Sequence, residues 1–263
     1  MYKRQLLNNK AVIQVDNNPH QLEKVFTANV SLQADLGDYL TVLEQATRDQ
    51  GLAPKTCIDI AAYKSDIENR AAAEGTRIFD SKFDLVKCFY RQLEQHFTEG
   101  IDLFDDNIVF AQNFYRVRQC DRFFPNTGVS SLGHAIPAAI GAGFKLERPV
   151  FALIGDGGFQ MCAMEIMTAV NYKIPFTVVV FNNQTMGLIR KNQQQQYEER
   201  FINCDFVNPD FSLLAESFGI THRKIDTIQQ CESLFEQLDV HHDINLVEVM
   251  LDQDAYPNYS SRR

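Results

Sequence analysis

The sequence predicts an α/β protein: a parallel sheet with helices on both faces. Three observations carry this. The runs "FALI" (151–154) and "FTVVVF" (176–181) are apolar at nearly every position, and a strand with no polar side has both faces covered, as in a parallel sheet. Between them, from Phe159 to about Tyr172, the residues Met161, Met164, Ile166, Met167 and Val170 mark one face of a helix, so strand and helix alternate. Finally, each run stops abruptly in small or amide-bearing residues, "GDGG" at 155–158 and "NN" at 182–183. Such sheets bind ligands beyond the carboxyl ends of their strands.

The remaining elements follow in chain order. "AVIQVDNNPHQL" opens with a strand from Ala11 to Val15 and an Asn-Asn-Pro turn, and "DLGDYLTVLEQATRDQG" reads as an amphipathic helix ended by Gly51. About fifty residues are too few for a core of their own. Residues 1–50 are therefore expected to be the incomplete tail of a central α/β domain, 51–78 a polar linker with some helix, and 79–263 the main domain. In that domain Phe83, Val86, Phe89, Tyr90, Leu93 and Phe97 predict an amphipathic helix. Pro175 ends the connection to the second apolar strand, a helix is expected at 211–218, and "NLVEVML" (245–251) is the closing strand.

The net charge of −9 excludes a nucleic-acid surface, which needs a basic face. No stretch approaches the roughly 18 apolar residues of a membrane span. The six cysteines, Cys57, Cys88, Cys120, Cys162, Cys204 and Cys231, form no CxxC pair, and the basic start "MYKRQLLNNK" leads into no apolar segment. Reduced thiols in a cytoplasmic protein are expected.

Chemistry concentrates at the two strand ends. Gly155 and Gly157 are expected to adopt backbone angles closed to other residues and to let a ligand approach the main chain. Asp156 then sits at the end of a buried strand, where the next helix begins. Twenty-four residues separate Gly157 from Asn182, the length of one strand–helix–strand crossover. Adjacent parallel strands lie about 4.8 Å apart, so Asp156 and the Asn182–Asn183 pair can reach one ion. Carboxylate and amide oxygens suit Mg²⁺. Gly-Asp-Gly alone is usually a turn and Asn-Asn a common cap; the pairing at this spacing is what singles out a site. A nucleotide-binding domain is the competing reading, but neither GxGxxG nor GxxxxGK[ST] occurs.

"GDGGFQM" followed at this distance by "NNQTMG" resembles the signature of the thiamine-diphosphate enzymes that decarboxylate 2-oxo acids. "GVSSLGHAIPAAIGA" is similar to the segment beneath the cofactor in the acetolactate synthase group, "LVEVMLDQDAYP" to its closing strand and tail, and "AVIQVDNNPHQL" to a late strand of its central domain. The resemblance implies a pyrophosphate-binding domain for 79–263. It places Mg²⁺ on the Asp156 and Asn183 side chains and the Thr185 carbonyl, and the diphosphate on the Gly157 and Gly158 N–H groups. Leu132 takes the place of the hydrophobe that bends the cofactor, and Ser131, Gly155, Met186 and Gly187 complete the cofactor-binding set. The implied activity is decarboxylation of a 2-oxo acid such as pyruvate and transfer of the two-carbon unit to an acceptor. Alternatives within the family are sulfoacetaldehyde acetyltransferase, a 2-oxo acid (benzoylformate) decarboxylase and pyruvate oxidase; a truncated, non-catalytic cofactor-binding chain is a further one. Thiamine diphosphate and Mg²⁺ are the implied cofactors, with FAD left open. The glutamate that activates the cofactor belongs to the family's pyrimidine domain, so no catalytic residue is assigned here. A dimer or higher homo-oligomer, or a companion chain carrying that domain, is the implied partner.

Three features depart from the family pattern or stand outside it. In "FDDNIVFAQNFYRVRQC" no residue can be placed. The acceptor-site tryptophan is missing, with Asn192 near its position. His134 is expected to be a hydrogen-bonded structural histidine, His241 and His242 to be solvated, and Arg190 and Lys191 to lie on a polar surface or lid loop.

Overall fold

A computed structural model describes residues 10–52, 59–106, 108–128, 130–145 and 148–258. The basic start and Cys57 lie outside the described residues; the other five cysteines are free thiols. The chain divides into two compact units, 1–65 and 66–263.

In the first unit β1 (Ile13–Asp16) and β2 (Val30–Gln33) pair in parallel, Ile13 opposite Val30. Helix α1 (Leu36–Asp49) is capped by Asp35, whose carboxylate accepts from the Gly37 and Asp38 N–H groups. Gly51, in the left-handed region at φ 62°, follows it. Neither strand nor α1 buries a residue, and Ile13, Val30, Leu36, Leu40 and Leu43 are exposed. Helix α2 (Ile60–Ile78) occupies most of the stretch expected as linker.

The second unit is built on six parallel strands. They are β3 (Asp102–Asp105), β4 (Arg122–Pro125), β5 (Val150–Gly155), β6 (Phe176–Asn182), β7 (Thr221–Ile225) and β8 (Ile244–Met250), in the order β4-β3-β5-β6-β8-β7. Alternation along the strands explains the two layers. Phe151, Leu153, Val179, Phe181, Val247 and Val249 pack on one face with Val86, Phe89, Tyr90 and Leu93 of α3 (Asp84–His96). Ala152, Ile154, Val178, Val180 and Leu246 pack on the other with α5 (Ala135–Gly143), α7 (Ile166–Tyr172) and α9 (Phe211–Phe218). The predicted sheet with helices on both faces is what folds.

Two local expectations fail. The helix after β5 is broken: α6 (Asp156–Cys162) gives way to a 3-10 turn at Ala163–Glu165 before α7. Cys162, at φ −139° and ψ 10°, leaves the helical region, and the stripe rotates. Ile166 and Ala169 are buried, whereas Met161 and Met164 are exposed. Arg190 and Lys191, expected at a polar surface, are buried on α8 (Gly187–Gln196).

Candidate functional site

The chain turns from β3 to β4 at one edge and then returns to lay β5 on the far side of β3. Segments leaving β3 and β5 therefore diverge at the carboxyl end, where a crevice opens. A cleft of about 280 Å³ lies there. Its walls come from the ends of β3 (Asp106), β5 (Gly155 to Gly158), β6 (Asn183 to Ile189) and β8 (Leu251).

Strands β5 and β6 are hydrogen-bonded neighbours, with Gly155 opposite Phe181, so Asp156 and Asn183 leave the sheet side by side. Nine of the ten candidate cofactor residues line this one cleft: Leu132, Gly155, Asp156, Gly157, Gly158, Asn183, Thr185, Met186 and Gly187. Ser131 is exposed beside it, its carbonyl accepting from Asn126 Nδ2. Leu132 is 40% exposed at the cleft rather than a core leucine.

The glycines serve close approach, not unusual backbone angles. Gly155 is ordinary extended chain at φ −78° and ψ 158°, and Gly157 lies in the first turn of α6, so the expected conformational role is wrong at both. A Cβ on Gly157 would strike Met186 Sδ, one on Gly158 would stand 2.6 Å from Asp106 Oδ2, and one on Gly187 would be 2.9 Å from Asn183 Nδ2. Met186, Asp106 and Asn183 are thus each packed against a glycine of the cleft.

The two asparagines divide their work. Asn183 lines the cleft. Asn182, one residue back and on the opposite side of the strand, is buried and donates through Nδ2 to Glu248 Oε1 at 2.6 Å. Its Oδ1 accepts from the Gln184 N–H at 3.2 Å and from Asn208 Nδ2 at 2.9 Å. Asp156 Oδ2 accepts from the same two groups, at 2.6 and 2.8 Å, while Oδ1 meets the Gly157 N–H at 3.0 Å. Burial outweighs these bonds and raises the Asp156 carboxyl above its ordinary range. Among the described residues no cluster of three His, Cys, Asp or Glu side chains could hold a metal. The side chains of Asp156 and Asn183, which line the cleft, offer a carboxylate and an amide, hard oxygens suited to Mg²⁺.

The sequence does not single out two contributors, Asp106 and Asn208, and places a third, Arg190, at the surface instead. Asp106, buried at the end of β3, accepts from the Gly133, His134 and Ala135 N–H groups at 2.8, 2.7 and 3.1 Å. The bond at His134 is therefore made by its backbone, and its ring is exposed. Asn208 reaches Asp156 from 52 positions away. Arg190 pairs with Asp205 and Asp254, donates to the Tyr256 hydroxyl at 2.7 Å and lies 3.9 Å over the Phe201 ring. It thereby ties α8 to the segment whose Ala255 and Pro257 wall the cleft. Thr185 is anchored to the same cluster, its hydroxyl 2.8 Å from both the Cys204 carbonyl and Asp205 Oδ1.

A doubly covered parallel sheet with an Asp-Gly-Gly helix start and an Asn-bearing turn on adjacent strand ends is the framework of an α/β ligand-binding domain. Residues 106–249 match the family "Thiamine pyrophosphate enzyme, C-terminal TPP binding domain", and the chain belongs to that family. It is 39% identical to the acetolactate synthase large subunit of Lactococcus lactis over 122 residues, covering 45% of this chain and 21% of that protein. With the acetolactate synthase isozyme 2 large subunit of Escherichia coli the identity is 28% over 232 residues, 87% of this chain and 41% of the other. The sulfoacetaldehyde acetyltransferase of Alcaligenes xylosoxydans is 37% identical over 120 residues, 45% and 20% respectively. The chain thus spans between a fifth and two fifths of the length of these relatives. Among the described residues no helix is long and apolar enough to cross a membrane.

Proposed function

We propose that this chain carries the thiamine-diphosphate and Mg²⁺ site of an acetolactate synthase-like enzyme, which decarboxylates a 2-oxo acid such as pyruvate and passes the two-carbon unit to an acceptor. One observation carries the reading: Asp156, Asn183 and Thr185 emerge from the ends of adjacent parallel strands into one cleft. In this reading the Asp156 carboxylate, the Asn183 amide oxygen and the Thr185 carbonyl hold Mg²⁺, and main-chain N–H groups at Gly157 and Gly158 face the diphosphate. The bound cofactor supplies the nucleophilic carbon and the electron sink for loss of CO₂. The chain itself supplies position and dryness. Asp106 pins the loop that carries Leu132, and Leu132, Met186, Leu188 and Ile189 give the cleft an apolar lining.

The same reading assigns activation of the cofactor to a pyrimidine-binding domain on a second copy or a companion chain, with residues 1–50 as part of a central domain, and places the protein in the cytoplasm. Isothermal titration tests the site. Thiamine diphosphate should bind with Mg²⁺ and about tenfold or more weakly in a chelator or in Asp156→Ala. Affinity indifferent to both changes would refute it. The match to sulfoacetaldehyde acetyltransferase supports a second reading of the substrate, in which sulfoacetaldehyde loses sulfite and its two carbons pass to phosphate as an acetyl group. Product analysis with pyruvate alone and with sulfoacetaldehyde plus phosphate separates the two.

A further inference from the structure

Strand β8 reads Ile-Asn-Leu-Val-Glu-Val-Met, and the acid in its middle has no reason to be there on packing grounds. Its neighbours Leu246, Val247 and Val249 are core residues, and Glu248 itself is only 6% exposed. Burying a carboxylate is costly unless it is well bonded. In the sheet Glu248 lies opposite Val180 of β6 on one side and Lys224 of β7 on the other. Its Oε1 reaches diagonally to Asn182, the last residue of β6. Its Oε2 lies 3.3 Å from His222 Nε2.

From there one path of amides runs to the cleft: Glu248 accepts from Asn182, Asn182 from Asn208, and Asn208 donates onward to Asp156. A carboxamide has a donor end and an acceptor end and can be seated either way round. An ionised carboxylate only accepts. With Glu248 beneath it, Asn182 must present its NH₂ downward and its oxygen upward. Asn208 then has to turn its NH₂ toward both Asn182 Oδ1 and Asp156 Oδ2, while its oxygen takes the Gln160 Nε2 donor at 2.6 Å. Burial alone would raise the Glu248 carboxyl, but the contacts from His222 and Asn182 and the charge of Lys224 outweigh it and hold it below the usual range.

We propose that Glu248 is a positioning residue for the cation site: it sets the direction of the Glu248–Asn182–Asn208–Asp156 chain, so that Asp156 is held by donors at Oδ2 and turns Oδ1 to the ion. The proposal rests on reading Asp156 as the cation ligand. It explains why an acid occupies an apolar strand and why the first asparagine of the pair faces away from the cleft. Partners that orient a metal ligand typically carry 10–100-fold in affinity.

The test is a titration of Mg²⁺ into the full chain at saturating thiamine diphosphate, with unfolding curves recorded on every variant. Asp156→Ala establishes the ligand. Should it leave Mg²⁺ affinity unchanged, the site reading falls and this proposal with it. If Asp156→Ala abolishes binding, Glu248→Leu is expected to raise the Mg²⁺ Kd about 10–100-fold. Glu248→Gln, which keeps an acceptor for Asn182, should stay within about threefold of the wild type. Asn208→Ala, a truncation on a loop, is expected to lose as much as Glu248→Leu. The double variant should lose no more than either single one, because both cut the same chain. A folded Glu248→Leu protein with wild-type affinity, or additive losses in the double variant, overturns the proposal. Should Glu248→Leu fail to fold, unchanged affinity in Asn208→Ala does so instead.

Discussion

Replacing Asp106 by Asn should destabilise the second unit by about 3 kcal/mol. The carboxylate accepts three main-chain N–H groups, Gly133 on Oδ2 and His134 and Ala135 on Oδ1, and only 1% of the residue is exposed. Asparagine can keep an oxygen toward His134 and Ala135, but its NH₂ then confronts the Gly133 N–H, donor to donor. One charge-assisted bond lost and one buried donor orphaned cost about 2–4 kcal/mol, and the two bonds that remain weaken to neutral strength for about 1 more. Relief from burying a charge returns about 1. With a urea m-value of about 2–3 kcal/mol/M, the midpoint should fall by about 1 M at unchanged slope. Equilibrium urea unfolding followed by fluorescence and circular dichroism is the assay. A midpoint shift below about 0.3 M would refute the claim that this carboxylate holds the 133–135 turn in place.

Gly158→Ala should destabilise by about 1–3 kcal/mol through overpacking, since the new methyl would sit 2.6 Å from Asp106 Oδ2 and 3.1 Å from Ile154 Cγ1; an unchanged melting temperature would show that both neighbours yield. Arg190→Met removes pairs to Asp205 and Asp254, whose side chains are 43% and 63% exposed, so global stability should change by only about 1 kcal/mol or less, whereas amide exchange across 252–258 should accelerate, and equal protection in both proteins would count against the tether. Asp121 gives a pH signature. Burial pushes its carboxyl up, but the Arg118 guanidinium and main-chain bonds outweigh that and leave it below the ordinary range. Its contribution is therefore complete above the unfolded value of about 3.9 and lost as pH falls through the lower native one. Asp121→Asn should flatten the acid limb of the stability profile there, and an unaltered limb would exclude this pair as its source.

Legibility tracked how far each residue's role was local. β5 and β6 declare themselves because both faces are covered, and α9 because Asp210 caps its start and Gly219, at φ 70°, its end. β3, β4 and β7 do not. β3 is four residues with an acid at each end, and Asp102 is buried next to Arg122 and Arg148, 3.7 and 3.9 Å away. β4 and β7 are edge strands carrying Arg122, His222, Arg223 and Lys224, and charge at an edge disguises a strand as loop. Asp156 and Asn183 were legible as neighbours at one cleft because the crossover length fixed their separation. Asn208 was not, since nothing in "NPDF" announces a partner 52 positions earlier. Buried Arg190 and Lys191 were misread because the Gln-rich surroundings mimic a solvated surface. Glu248 did leave a trace: an acid interrupting an apolar strand.

The two asparagines at 182 and 183 are chemically identical yet not interchangeable, because Asn182 ends β6 buried against Glu248 while Asn183, just past the strand, lines the cleft. A slip of β6 by a single position would leave the sequence at its tip looking intact while exchanging the residue that bonds Glu248 for the one that lines the cleft. The tip of β6 is thus a vernier for the whole sheet. Its correct setting is enforced from below by Phe176, Val178 and Val180 on one face and Val179 and Phe181 on the other, so a core substitution far from the cleft can displace Asn183 without touching any group that lines the cleft.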